Sequence, residues 1–277
     1  MGSKASTLAE NQGESLTVDQ ALANLNQTAD SSLRYYAAWW LGRFRVSTPV
    51  VIEALIGALG DEVDRAPDGG YPLRRNAARA LGKLGDRQAV PPLIQCLTCP
   101  DYYVREAAAQ ALEQLGDPRA IQPLRSLLAG GVAAAVPVPG KPHLVQPYNA
   151  VLEALGSLGA REAVAEIQPF LDHEIAQVQN AAARALYQLT GDAAYGQQLV
   201  ERLQAPNLQL RRSAMMDLGA IGYLPAAQPI AATLAENSLK LIALQGILET
   251  HLHRTGFPQG GLSSEARQVL ALMDELL

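Results

Sequence analysis

Leu73 to Gly82 reads LRRNAARALG, and the same phrase returns along the whole chain. It runs as an aliphatic residue, a basic residue, two variable positions, two small residues, two more, then Leu and often Gly. Further copies are LRYYAAWWLG from Leu33, VREAAAQALE from Val104, VQNAAARALY from Val178 and LRRSAMMDLG from Leu210. Two degenerate copies keep the register, PYNAVLEALG from Pro147 and LKLIALQGIL from Leu239. The apolar anchors are Leu41, Leu81, Leu112, Leu155, Leu186, Leu218 and Ile247, separated by 40, 31, 43, 31, 32 and 29 residues. Self-similarity at a period near 30 is the mark of a helical-hairpin repeat array. Each phrase is the second helix of a unit. Ala77, Ala78 and Leu81 fall at i, i+1 and i+4, one buried stripe that lets neighbouring helices approach closely.

The text between phrases supports this. GDRQAVPPLIQCL follows Leu84 and GDPRAIQPLRSLL follows Leu115. Gly closes one helix, Asp opens the next turn, and Pro stands in a first turn, where its missing N–H costs little. The expected fold is all-α, an α-solenoid of about seven HEAT-like hairpins. It forms one domain over residues 15–277 behind a loose polar tail at 1–14. Two units are long in the same place, between first and second helix, giving insert loops at 61–72 and 130–146. Inserts at one edge of a solenoid are often the binding edge, although drift in exposed loops produces them too.

Composition narrows the function. The chain has 277 residues, 48% of them hydrophobic and 18% charged, enough for a continuous core. A formal charge of −5 argues against duplex nucleic acid as a partner. No run approaches the roughly 18 apolar residues of a membrane span, and no leader pattern opens the chain, so a cytoplasmic protein is expected. Cys96 and Cys99 form a lone C-x-x-C with no further ligands at zinc spacing, and Cys96 reads as a core residue. The four histidines give no ligand pattern, so no metal is expected. Nucleophile elbow, phosphate loop and dinucleotide fingerprint are all missing. On residues alone the chain is a binding scaffold.

Its unusual face lies on the second helices. A stripe at i, i+4 and i+8 is polar in most copies: Arg75, Arg79, Lys83; Glu106, Gln110, Gln114; Asn180, Arg184, Gln188. In the first copy it is Tyr35, Trp39 and Arg43. This predicts an exposed aromatic pair, Tyr35 with Trp39, and exposed apolar patches mark interaction sites. Tyr36 and Trp40 stand where other copies are tightly packed, and capping the array would explain them as well as ligand contact. Beside them runs a basic stripe, Arg34, Arg74, Arg75, Arg79, Lys83 and Arg105. Second helices line the concave side of such arrays, so aromatics and guanidinium groups converge on a planar ligand carrying carboxylates, or on an acidic protein surface. For the Arg recurring at the phrase's second position, hydrogen bonding between repeats is the alternative.

The string RYYAAWWLGRF, Arg34–Phe44, adds a resemblance. With VREAAAQALEQLGDPRAIQPL and DGGYPLRRNAARALG, it is similar to the E-type subunits of the E/F-type phycocyanobilin lyases, a HEAT-like branch of the phycobilisome lyases, over essentially the whole chain. The resemblance implies an EC 4 lyase acting with a homologous F-type subunit. Together they attach phycocyanobilin by a thioether to a cysteine of the phycocyanin α chain, with the bilin as substrate and no cofactor. It carries over the motif residues Tyr35, Tyr36, Trp39, Trp40 and Leu41. With them, Arg43, Arg75 and Arg79 are the expected bilin-binding residues. The acceptor thiol is the nucleophile, which explains why this chain shows none. Any acid that assists is unknown, with Asp61, Asp64 and Asp68 of the first insert as guesses. The competing reading is a non-catalytic repeat protein that grips phycobiliprotein subunits in phycobilisome assembly or degradation.

Overall fold

The structure, a computed structural model, describes residues 16–255 and 261–277. The expected tail over 1–14 and the domain start at residue 15 lie outside the described residues. Helices follow one another as hairpins. The first is α1 (Val18–Asn26) with α2 (Ser31–Arg43), the second α3 (Pro49–Ala58) with α4 (Pro72–Leu84), the third α5 (Val90–Cys96) with α6 (Tyr102–Leu115). In the fourth, α7 (Ile121–Ser126) is followed by a one-turn α8 (Gly131–Ala134) before α9 (Tyr148–Ser157) completes the pair. Then come α10 (Val164–Ile167) with α11 (Ala176–Thr190), α12 (Ala193–Arg202) with α13 (Leu208–Ile221), and α14 (Ala227–Ala232) with α15 (Asn237–Thr255). A last helix, α16 (Ser264–Asp274), packs on α14 and α15. The fold is the all-α HEAT-like solenoid that the repeat predicts.

The second helices form a continuous row, α2 on α4, α4 on α6, α6 on α9, α9 on α11, α11 on α13 and α13 on α15. Their Ala-Ala-Leu stripes carry the core: Ala37, Ala38 and Leu41 are fully buried, as are Ala77, Ala78, Leu81, Ala107, Ala108 and Leu112. Burying each Leu side chain contributes on the order of 2 kcal/mol, and the small residues let the helices close on one another.

The punctuation works as the linking text predicts. Gly85 and Gly116 end α4 and α6 in the left-handed conformation, where a side chain is strained. Asp86 and Asp117 then accept the N–H groups of Gln88 and Arg119 and start the following 3₁₀ turns. The first hairpin departs from this. Arg45 stands where Gly85 stands in the next copy and adopts φ 53° without glycine's freedom. Its guanidinium donates to the Lys83 carbonyl at 2.8 Å, tying the end of α2 to the end of α4.

The inserts carry hydrogen bonds of their own. Residues 61–72 turn back through a hydrogen bond from Ala66 N–H to the Gly70 carbonyl at 2.9 Å. The second insert holds α8 and an antiparallel bridge between Pro137 and Leu144. The buried His173 anchors it through Nε2, 2.8 Å from the Ala135 carbonyl. A segment of this length would otherwise leave backbone groups unpaired.

Candidate functional site

The side chain of Asp30 accepts the N–H groups of Ser32 and Leu33 and sets the start of α2. The packing of α2 corrects the expected aromatic pair. Tyr36 and Trp39, one turn apart at i and i+3, are the exposed rings, 50% and 45% accessible. They stack on each other at 5.5 Å between centroids and 29° between planes. Tyr35 is half-buried and packs against the core. It sits in the column of Arg75 and Glu106, which are also half-buried. Asn76 Nδ2 donates to the Tyr35 carbonyl at 3.2 Å, locking α4 to α2 there. Trp40 is half-buried against the core and lies 4.9 Å from the exposed Phe44. Arg43 and Arg79 are exposed on their helices, whereas Arg75 lies with its guanidinium 4.4 Å from the centre of the Tyr103 ring.

The recurring Arg has a structural task. Each one reaches back to carbonyls just before its own helix or at the end of the preceding one. Arg34 Nε donates to the Leu25 carbonyl at 3.1 Å, and Arg74 Nη2 to the Gly60 carbonyl at 3.3 Å. Arg105 Nη1 donates to the Cys99 carbonyl at 2.6 Å, and Arg211 Nη1 to the Ala205 carbonyl at 2.7 Å. Lys240 does the same to the Ala231 carbonyl at 2.9 Å. Helix C-termini leave carbonyls without intrahelical partners, and these cations cover them.

The three guessed acids are engaged too. Arg34 Nη1 binds Asp61 at 2.9 Å and Asp64 at 2.6 Å, and all three side chains are nearly inaccessible. Asp64 also accepts the Ser31 hydroxyl at 2.7 Å, and Asp61 the Asp64 N–H at 2.9 Å. Asp68 accepts the Gly70 N–H at 3.1 Å, shaping the turn. An insert carboxylate next to a buried Arg neutralises it, and that is what Asp61 and Asp64 do.

Two clusters on the second-helix side were not foreseen. One lies where both inserts meet the start of α6. His143 of the second insert stacks on Tyr102 at 4.1 Å and 12°, and Tyr103 meets His143 edge-on at 5.7 Å. Across from them, the Tyr71 ring lies between the guanidinium groups of Arg65 at 3.9 Å and Arg74 at 4.3 Å. Tyr102 and His143 are 41 positions apart, and neither belongs to the repeated stripe.

The other is a charge network midway along the row. Arg184 of α11 reaches Glu113 of α6 at 2.7 Å, Glu153 of α9 at 3.2 Å and Asp217 of α13 at 3.6 Å. Three carboxylates share one cation. Burial pushes Glu153 up to about 7, against the pull of Arg184, and Asp217 up to about 6. Glu106, on the same side, is also raised by burial, opposed by Arg79 and Arg75. The face is therefore cationic and aromatic in its first repeats and acidic at its middle.

Cys96 and Cys99 are free and buried, and burial lifts the Cys96 thiol to about 11, which keeps it a thiol. Among the described residues no group of His, Cys, Asp and Glu could hold a metal ion, and no helix is long and apolar enough to cross a membrane.

Comparison with known proteins accounts for the whole chain. Residues 63–136 and 147–219 match the HEAT repeats family, and 33–61 match the PBS lyase HEAT-like repeat. The phycocyanobilin lyase subunit alpha of Picosynechococcus sp. PCC 7002 is 63% identical over 264 residues, 95% of this chain and 97% of that protein. The bilin biosynthesis protein PecE of Nostoc sp. PCC 7120 is 42% identical over 263 residues, 95% of this chain and 96% of that protein. Among solved structures, the complex of CpcE and CpcF of phycocyanin lyase from Nostoc sp. PCC7120 aligns at a TM-score of 0.89 and 59% identity, covering 100% of both chains. The row of paired helices, the intact YYAAWWL string on α2 and this end-to-end similarity together make the chain a member of the phycocyanobilin lyase alpha-subunit family.

Proposed function

We propose that the ledge formed by Tyr36 and Trp39 on α2, with Arg43, Arg75 and Arg79 beside it, receives the bilin in this chain. The chain is one subunit of a heterodimeric lyase. With its F-type partner it binds phycocyanobilin and attaches it by a thioether to a cysteine of the phycocyanin α subunit. The observation that carries the site is the stacked, exposed Tyr36–Trp39 pair, since a soluble array has no need to expose two large rings side by side. Tyr35 and Trp40 support it from behind, packed against the core.

The chemistry asks little of the chain's own side chains. Adding a thiol across a carbon–carbon double bond joins sulfur to one carbon and leaves the proton on the conjugated system, and nothing is expelled. The acceptor supplies the sulfur and the bilin supplies the electrophile, so no nucleophile and no cofactor is needed here. What accelerates the step is position: an open-chain tetrapyrrole has many conformers, and holding one against the acceptor thiol removes that entropy from the barrier. A ring laid on Trp39 is worth about 1 kcal/mol beyond its buried area, and guanidinium groups suit the two propionates. We place the reaction in the cyanobacterial cytosol, a reading supported by two cysteines that remain free thiols.

The test is reconstitution. The heterodimer, free phycocyanobilin and apo-α-phycocyanin give a covalent adduct, read by absorbance in acid urea and zinc fluorescence on a gel. An adduct no faster than the spontaneous reaction rejects the activity. Trp39→Ala lowers transfer about tenfold, the scale of one lost stacking contact, without changing the unfolding midpoint. Unchanged transfer removes Trp39 from the site.

A further inference from the structure

The two inserts were singled out by their shared position, and the ledge does not use them. In the fold they close on each other. Residues Arg65 to Tyr71 of the first and Val138 to Val145 of the second form opposite walls of an open cleft of about 630 Å³, with Pro100 to Arg105 as its floor. On the far side of the Tyr102–His143 pair lies a second hollow of about 390 Å³, also bounded by Lys141 and Pro142. The stacked pair thus stands as a partition with space on both sides.

The charge of the cleft is cationic. Arg65, Arg105 and Lys141 line it against the carboxylates Asp68 and Asp101. Asp101 is already occupied, accepting the N–H groups of Tyr71 at 2.7 Å and Tyr103 at 2.8 Å, and Asp68 accepts the Gly70 N–H. The cations are less completely used. Arg105 Nε is buried without a hydrogen-bond partner, although Nη2 of the same group holds the Val145 carbonyl at 2.8 Å and Nη1 the Cys99 and Pro100 carbonyls at 2.6 and 3.1 Å. Arg75 Nε, on the guanidinium that covers Tyr103, is buried and unpartnered as well. Lys141 is exposed at the rim. Unsatisfied guanidinium N–H donors beside flat ring faces are a poor way to pack a loop and a good way to receive a planar acid. The cleft also adjoins the ledge. Arg75 touches Tyr103 at its floor, and Arg79, one turn along α4, takes the place in the phrase that Trp39 takes in α2.

We propose that the cleft between the two inserts is a second bilin subsite, in which Arg105 and Lys141 take a propionate while the Tyr102–His143 pair walls the pyrrole ring that bears it. This rests on the reading of the chain as a bilin lyase subunit. The two inserts then have one purpose. The repeat supplies a ledge for one end of the tetrapyrrole, and the inserts supply an anchor that sets which end lies outward, toward the acceptor thiol.

The test uses the heterodimer and two probes, phycocyanobilin and its dimethyl ester, in which both propionates are blocked. Binding is read from the change in bilin absorbance on titration. Wild type binds the free acid at least tenfold more tightly than the ester. Lys141→Glu removes most of that difference by weakening the acid and leaving the ester unchanged, with no change in the unfolding midpoint, since Lys141 is exposed. His143→Ala weakens both probes. Equal binding of acid and ester by wild type, or wild-type discrimination in Lys141→Glu, overturns the subsite while transfer to apo-α-phycocyanin still supports the lyase reading. Failure of wild type to bind or transfer either probe overturns the lyase reading itself.

Discussion

At the crossing of α4 and α6, Gly82 lies against Ala111, whereas at the crossing of α6 and α9 the same place in the phrase is Glu113. The first kind recurs at Gly42 on Ala80, Gly156 on Ala185 and Gly219 on Ala243. A Cβ on Gly82 would come within 2.8 Å of the Ala111 Cα, so glycine there is what lets the backbones meet. At α6/α9 and α11/α13 the places are Glu113 and Tyr187, and no glycine admits the neighbour. Polar side chains occupy that region. Arg184 gathers Glu113, Glu153 and Asp217 from three other helices, and the Ser157 hydroxyl donates to Glu113 at 2.7 Å. The difference teaches how one repeat makes two kinds of surface. Glycine crossings bring second helices together at four places along the row, and the side chains at the crossings without glycine help turn the middle of the same face acidic.

The sharpest break of that comparison is Arg184→Met. It leaves three carboxylates with no cation, and destabilisation of about 3 kcal/mol is expected in urea unfolding at pH 8. The loss shrinks at pH 5, where the carboxyls take up protons; equal losses at both pH values would mean the network is held by packing instead. Gly82→Val attacks the other kind of crossing and costs about 2 kcal/mol at any pH between 5 and 8, since it is a steric effect. A pH-dependent loss there would blur the distinction.

The pH dependence of the native chain follows from the raised carboxyls. Glu153, faced by Glu106 and Glu113 of α6, Arg184 of α11 and Asp217 of α13, goes from an ordinary 4.5 to about 7, and Asp217 from 3.8 to about 6. The folded state therefore binds these protons more tightly than the unfolded chain does. Their contribution to stability is greatest at low pH and is lost as pH rises, through 3.8 to 6 for Asp217 and 4.5 to 7 for Glu153. Glu153→Gln removes on the order of 2 kcal/mol of that slope, read as the difference in urea midpoint between pH 5 and pH 8. An unchanged slope would place the titrating group elsewhere. The smallest effect is expected from Glu113→Ala, below about 1 kcal/mol, because Arg184 keeps two carboxylates. A loss comparable to Arg184→Met would make Glu113 the keystone.

Much of this architecture was written in the period of the phrase. Seven anchors, the Ala pairs, and the Gly, Asp and Pro of the linkers encode local rules, a stripe to bury, a helix to stop and a turn to start, and each acts within a few residues of itself. The aromatic string was equally plain, yet which of its rings faces solvent was misread as Tyr35 with Trp39. The polar stripe treats every second helix alike, while α2 begins the row and meets another second helix, α4, on one flank only. Tyr35 packs against the core, and the open flank leaves Tyr36 exposed beside Trp39.

The chain's own order of residues was sufficient for the solenoid, its unit boundaries and the family, because those depend on interactions repeated at short range. Partnerships across units needed three dimensions. Arg34 with Asp61 and Asp64, Arg184 with carboxylates from three helices, and Tyr102 with His143 join residues 27 to 71 positions apart. No periodic pattern records such pairs. The superhelix alone sets which distant side chains share a space too small for water to separate them.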